Sequence, residues 1–437
     1  MPNRDPFKVI ISGGGIAGLA LANMLQKAGI DFVVLEKREI APQIGASICV
    51  VSHTGKIFDQ LGIWKSICAS NVPLTNRYHI DEHGTLFENS PMFRDAMEKT
   101  GRPILFMERH FCLKTLYDNI EDHSKVRENT GVASFSEDEG GITVLTNRGE
   151  NIRGSILVAT DGLHSPIRRM IADSISETDP KRSQDLIRAF TSSYRVIFGT
   201  SLNRAGEDAL PPDGIVYHVY YRGQSGITTA SPKGLIFWFL FIKEDTPSST
   251  PDCPRYTESD AAASIEKYGH LAACPGYLYR DLWNTRVKAG MVSMEEGVLR
   301  GAWNDGGRVV LAGDATCKTT INGGLGGNLA IEGVCNLANE LVSLIREKPK
   351  LTTQDVMGAF ERYEEKQRPR AEISFLSSNL STRYESMDSL WLRFIRWLSS
   401  WIHFRSETKA ILGYMEPGSF LNFLPDPDIH GTGRVPN

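Results

Sequence analysis

Residues 8–36 read KVIISGGGIAGLALANMLQKAGIDFVVLE, and this stretch decides the fold. The β-branched run Val9, Ile10, Ile11 suits a strand buried on both faces. Gly13, Gly15 and Gly18 follow in G-x-G-x-x-G spacing. In such a loop the first glycine makes the tight turn, the second lets backbone approach a pyrophosphate, and the third lets helix pack closely on strand. Leu19, Ala20, Leu21, Met24 and Leu25 then give a helix over 16–28 one apolar face. Its free N–H groups and positive dipole end point at phosphate. A second strand over 32–35 ends on Glu36, whose carboxylate is placed to accept from ribose hydroxyls. Strand, turn, helix, strand and acid at these offsets predict a dinucleotide site. The acid favours an unphosphorylated adenosine ribose, hence FAD or NAD rather than NADP.

A chain of 437 residues implies two domains. Its 41% hydrophobic and 23% charged residues are those of a globular protein. A net charge of −4 argues against nucleic acid or an anionic membrane surface as the main partner. Seven cysteines (49, 68, 112, 253, 274, 317 and 335) are scattered and form no C-x-x-C pair. That pattern predicts reduced thiols inside a cell, with neither a disulfide frame nor a metal site. MPNRDPFK runs straight into the first strand, so no signal peptide is expected. No apolar run approaches the roughly 20 residues of a transmembrane span. The expectation is an intracellular protein, cytoplasmic or peripherally membrane-associated.

Outward from the glycine loop, residues 76–106 alternate strand-like pieces with turns. MERHFCLKTLYDNI puts Arg109 at the start of an amphipathic helix, where read alone it is a surface cation. Residues 131–158 predict hairpin strands, the last of them a buried parallel-type strand leading to Asp161-Gly162. In TDGLHSPIR, Ser165 is a candidate helix cap. Between about 185 and 245 long alternating strands predict an antiparallel sheet, one face packed and the other free to cover a pocket. The aromatics of GLIFWFLF suit either a core or an apolar ligand wall. RVVLAGD then returns a buried strand ending in Asp314, and glycines 323, 324, 326 and 327 precede a helix. This is a second place where backbone N–H groups can face an anion. Helices are predicted over 353–368 and 371–384, and a last one over 390–404, LWLRFIRWLSSWIHF. With Trp391, Trp397 and Trp401 around Arg393 and Arg396, that helix suits packing on the body or lying in a membrane interface.

Three separated motifs, GGGIAGL with Glu36, TDGLHSPIR, and RVVLAGDA followed by a glycine pair, together resemble the single-component FAD-dependent monooxygenases of the para-hydroxybenzoate hydroxylase fold. GASI, FMERHFCLKTLYDNI, YRVIFG and Gly326-Gly327-Asn328 resemble the branch that epoxidises or hydroxylates prenylated secondary metabolites such as meroterpenoids and indole diterpenes. The likeness covers roughly residues 8–385. It implies an α/β fold in which a Rossmann-type FAD-binding domain (1–75, 101–184, 286–350) is interleaved with an antiparallel-sheet substrate domain (76–100, 185–285) and followed by C-terminal helices (351–437). By the same resemblance, Gly13, Gly15, Gly18 and Glu36 hold the ADP half of FAD and Arg109 contacts the cofactor. Asp161 and Gly162 look like the motif serving FAD and nicotinamide, and Asp314 accepts from the ribityl hydroxyls. Gly326 and Gly327 would sit beside the isoalloxazine, with Cys49 where relatives carry the last glycine of GASIG. Arg195 and Tyr217 match active-site positions of the branch.

The implied reaction uses NAD(P)H as a transient reductant, bound without a Rossmann domain of its own. Oxygen then passes from a flavin C4a-hydroperoxide to a small lipophilic substrate. Where relatives show a histidine, a proline and G-Q-G, this chain has Cys317, Ile321 and Gly324-Leu325-Gly326. These departures favour a second reading, a same-fold flavoprotein with non-oxygenase chemistry: dehydrogenation, or cyclisation or isomerisation with redox-silent FAD. A third reading, a non-catalytic membrane-peripheral partner, rests on the tryptophan-rich 390–404 segment.

Overall fold

The structure is a computed structural model that describes residues 7–42, 47–399, 406–416 and 418–426. Gly45 and Ala46 of GASI, and residues 400–404 with Trp401, lie outside the described residues.

The chain opens with strand β1 (Lys8–Ser12), helix α1 (Ile16–Ala28) and strand β2 (Asp31–Leu35). Strands β3 (Ser47–Val50), β4 (Asn76–Ile80), β5 (Leu86–Ser90) and β6 (Leu105–Glu108) follow, then helix α2 (Arg109–Asp118). Next come β7 (Val126–Arg127), β8 (Ile156–Ala159), β9 (Thr191–Leu202), β10 (Ile215–Tyr220), β11 (Gln224–Ser231) and β12 (Leu235–Ser249). Strands β13 (Arg286–Val298), β14 (Val309–Leu311) and β15 (Cys317–Lys318) lead to helices α3 (Gly326–Glu347), α4 (Thr353–Glu385) and α5 (Leu390–Ser399).

Five strands make a parallel sheet in the order β14-β8-β1-β2-β7. It is buried on both faces, which is why its strands read as unbroken apolar runs. Leu19, Leu21, Met24 and Leu25 of α1 are fully buried between this sheet and the helices α2 and α3. Each contributes roughly 1.5–3 kcal/mol of transfer free energy. Eight strands form the second sheet, β15-β13-β9-β12-β11-β10-β4-β5, mainly antiparallel with one parallel pair, β10 with β4. The α/β architecture expected from the sequence is the one observed.

Strand β13, at the start of the 286–350 segment, pairs with β9 along most of its length and so joins the large sheet. Helix α4 is one element where two were predicted, because it passes through Pro369 without ending. An interior proline costs about 3 kcal/mol. Packing outweighs it: Gln367 donates to the Leu329 carbonyl and accepts from Asn336, and Arg370 grips buried Glu332 at 3.0 Å.

Candidate active site

The three loop glycines are required for three different reasons. Gly13 has φ +107°, and a Cβ there would lie 2.6 Å from the Thr160 carbonyl oxygen. At Gly18 a Cβ would stand 1.9 Å from the Gly13 oxygen, so α1 crosses the loop too closely for any side chain. Gly15 is the opposite case: a Cβ would meet nothing within 4 Å. The open space lies over the N-terminus of α1, which has no side-chain cap and no acidic residue in its first turn. Glu36 accepts from Gly14 N–H at 2.7 Å through one oxygen and from Arg38 N–H at 2.9 Å through the other. Each carboxylate oxygen keeps a free lone pair for a ribose hydroxyl.

From this loop a single cavity of about 620 Å³ runs past the start of α3 to the large sheet. Arg109, Asp161, Gly162, Asp314, Gly326 and Gly327 line its middle. Arg109 makes no hydrogen bond or ion pair among the described residues, leaving its guanidinium for a ligand. Asp161 accepts from Ile167 N–H through Oδ2, while Oδ1 is buried without a partner. Burial pushes this carboxyl above the usual range, against the hydrogen bonds of Ser165 and Ile167. Such an oxygen is satisfied by a hydroxyl donor on a bound molecule. Asp314 pairs with Lys318 at 2.5 Å.

Helix α3 begins bare, with no capping side chain and no acid in its first turn. Asn328 ties this end to β3: its Oδ1 accepts from Val51 N–H and its Nδ2 donates to the Cys49 and Gly324 carbonyls. A Cβ at Gly327 would press on Ile48 at 2.6 Å. Cys49 lines the cavity beside this junction, and burial raises its thiol to about 12, so it is a neutral wall. The donor set therefore fits FAD: an open pyrophosphate-sized approach at Gly15, an acid at the ribose end, an orphan carboxylate oxygen, and a dipole facing the far end.

At the sheet the cavity turns apolar, walled by Phe93, Phe106, Phe198, Ile227, Phe239 and Leu325. Ile321 lines it as well, whereas Cys317 is buried beneath α4 with its thiol toward the Ala371 carbonyl. Four polar side chains interrupt or support this wall: Arg77, His218 and Asn322 line it, and Glu385 lies behind them. His218 Nδ1 is 2.9 Å from Glu385 Oε1, and Asn322 Nδ2 donates to Glu385 Oε2 at 2.5 Å. Burial opposes charge on Glu385, yet His218, Arg77 and Asn322 hold its carboxyl below the usual range. The His218 ring is held below the ordinary histidine value by burial, with Glu385 pulling the other way.

Arg195 and Tyr217 are not brought to this cavity. Period-two alternation sends Tyr194, Val196, Val216 and His218 to the cavity face, and Arg195 and Tyr217 to the other. Arg195 pairs with Glu244 at 2.5 Å, which also accepts from Tyr256. Tyr217 is 5% exposed, packs edge-on against Tyr78 at 5.7 Å, and has its hydroxyl pKa raised by burial. The sequence reading passed over His218, one residue from Tyr217. The signal available to it was a histidine inside an otherwise apolar IVYHVYY strand.

For the 390–404 segment the sequence allows packing on the body or lying in a membrane interface; its described part, α5, exposes Leu390, Trp391, Phe394 and Trp397, with Phe394 stacked between the two indoles. No helix among the described residues is long and apolar enough to cross a membrane. No group of metal-ligating side chains occurs among them.

The family described as FAD binding domain matches residues 6–196 and 291–373. The FAD-dependent monooxygenase cdmI of Talaromyces verruculosus is 31% identical over 440 residues, covering 99% of this chain and 90% of that protein. The FAD-dependent monooxygenase ausM of Penicillium brasilianum is 36% identical over 387 residues, covering 87% and 76%. Among solved structures, Klebsiella pneumoniae HpxO complexed with FAD and uric acid superposes with a TM-score of 0.73 at 20% identity, covering 94% of this chain and 97% of that one. That likeness carries the fold.

Proposed function

The chain belongs to the FAD-dependent monooxygenases, and from that premise we propose that it uses NAD(P)H and O₂ to epoxidise or hydroxylate a lipophilic prenylated secondary metabolite. The observation that carries this reading is the single cavity joining an anion-facing glycine loop to an aromatic chamber on the large sheet. Residues 1–75, 101–184 and 286–350 would hold the cofactor, and 76–100 with 185–285 the substrate.

FAD, when bound, supplies hydride acceptance and oxygen activation. The chain's own residues bind and shield. Gly13, Gly15 and Glu36 take the ADP half, Gly18 lets α1 reach it, and Arg109 faces the anionic middle. Asp161 and Asp314 accept from hydroxyls. Gly326 and Gly327 bring the positive end of α3 to where charge on the reduced ring is stabilised. Ile321 and Leu325, at positions where the resembling branch has proline and glutamine, are apolar and keep water from the chamber. The exposed indoles of α5 support peripheral contact with a membrane interface, where a lipophilic substrate would partition.

The test is NADH and NADPH oxidation by the FAD-loaded protein with and without a farnesylated phenol. The reading expects several-fold faster oxidation and a product that has gained one oxygen. Oxidation unchanged by the probe, with every electron recovered as hydrogen peroxide, would contradict it. Turnover without oxygen gain would instead favour dehydrogenation, cyclisation or isomerisation.

A further inference from the structure

Neither cofactor binding nor an apolar wall accounts for the polar row at the sheet end of the cavity. His218 and Glu385 are 2% exposed each. Removing a carboxylate and an imidazole from water costs several kcal/mol unless each is well partnered. Here the partners are arranged in sequence. Thr382 Oγ1 donates to Asn322 Oδ1 at 2.9 Å, which turns the amide so that Nδ2 reaches Glu385. Glu385, the last residue of α4, then accepts from His218 Nδ1–H at 2.9 Å. With Nδ1 so engaged, Nε2 is the free nitrogen of a ring that lines the cavity. A carboxylate that fixes the Nδ1–H tautomer leaves a lone pair on Nε2 and stabilises the imidazolium if a proton arrives.

We propose that His218, oriented by Glu385 and Asn322, accepts the proton of an acidic hydroxyl on the substrate, which makes the substrate a prenylated phenol or enol rather than a plain hydrocarbon. The assignment rests on the oxygenase reading. The step balances by itself: the substrate O–H bond breaks, its electron pair stays on oxygen, and an N–H bond forms at Nε2. Arg77, on the neighbouring strand and also lining the cavity, is the cation for the resulting oxyanion. The proton returns to the product oxygen before release. Around the ring, Arg77 and His79 come from β4 and Glu385 from α4, with the His79 and His218 rings 6.0 Å apart.

The experiment titrates the FAD-loaded protein with 4-farnesylphenol and with its methyl ether, reading the absorbance change of the bound flavin. The phenol binds about tenfold tighter, the value of one good hydrogen bond to a preorganised acceptor. His218→Phe removes that preference while the ether keeps its affinity to within about twofold. Glu385→Gln reduces the preference and moves its pH dependence, an effect that loss of packing alone would not produce. If His218→Phe does not retain FAD, the Glu385→Gln comparison decides. Equal binding of both probes by the unaltered protein overturns the inference, as does a preference that survives both substitutions. Failure of both probes to bind refutes the prenylated-substrate reading and takes the inference with it.

Discussion

Alanine at Gly18 and alanine at Gly15 are the same change three residues apart, and the structure assigns them different consequences. At Gly18 the new methyl would lie 1.9 Å from the Gly13 carbonyl oxygen and 2.8 Å from Thr160 Oγ1. Relieving the first contact to about 3 Å requires α1 to lift from the loop by more than an ångström in a close-packed core. Overpacking of that kind costs ~1–3 kcal/mol. A loss of that size lowers Tm by roughly 2–4 °C per kcal/mol on the scale of a 150–250-residue domain. At Gly15 the methyl meets nothing within 4 Å, and φ −80° is open to alanine. Its cost to the FAD-free protein is that of replacing a favoured cap residue by alanine, about 0.5–1 kcal/mol. That methyl does occupy the approach of a pyrophosphate, so FAD affinity falls about tenfold or more, ~1.4 kcal/mol. Calorimetry of the FAD-free variants and fluorescence titration with FAD separate the two effects. A Gly15→Ala variant that binds FAD normally, or one that loses as much apoprotein stability as Gly18→Ala, would refute the division of labour.

Arg195→Met removes a charge-assisted pair on the sheet face away from the cavity, so it lowers stability by ~1–3 kcal/mol and leaves kcat and KM within about twofold. A kcat loss above about tenfold at unchanged Tm would return Arg195 to the active site. Burial, and secondarily Arg370, pushes His53 down to about 3, so below the ordinary histidine value of ~6.5 the unfolded chain takes up a proton that the native state refuses. Stability is therefore lost as pH falls from 6.5 toward 3, by up to ~1.4 kcal/mol per pH unit, and thermal melts of His53→Phe between pH 7 and 5 show a flatter slope. An unchanged slope counts against it. Trp391→Ser with Trp397→Ser abolishes sedimentation with phosphatidylcholine vesicles if α5 is the lipid contact; sedimentation that persists excludes it.

Much of the fold was legible because its signals are local. The glycine loop, Glu36, the strand ends at Asp161 and Asp314, and the bare start of α3 all lie within a few residues of the backbone feature that explains them. The face of a strand is not local. Period-two alternation is visible around Arg195 and Tyr217, but in a sheet packed on both sides either set of residues serves as core, and only the assembled sheet decides. His218 was hidden for the same reason, and its partner Glu385 stands 167 positions away at the end of a helix. Pro369 misled through a sound local rule that buried contacts with α3 override.

The most direct measurement is the fate of oxygen: the FAD-loaded protein is turned over with NAD(P)H and 4-farnesylphenol under ¹⁸O₂. One labelled atom in the product is expected for each NAD(P)H consumed. A product formed without label, or label recovered only as hydrogen peroxide, would contradict the assignment of this cavity to oxygen transfer.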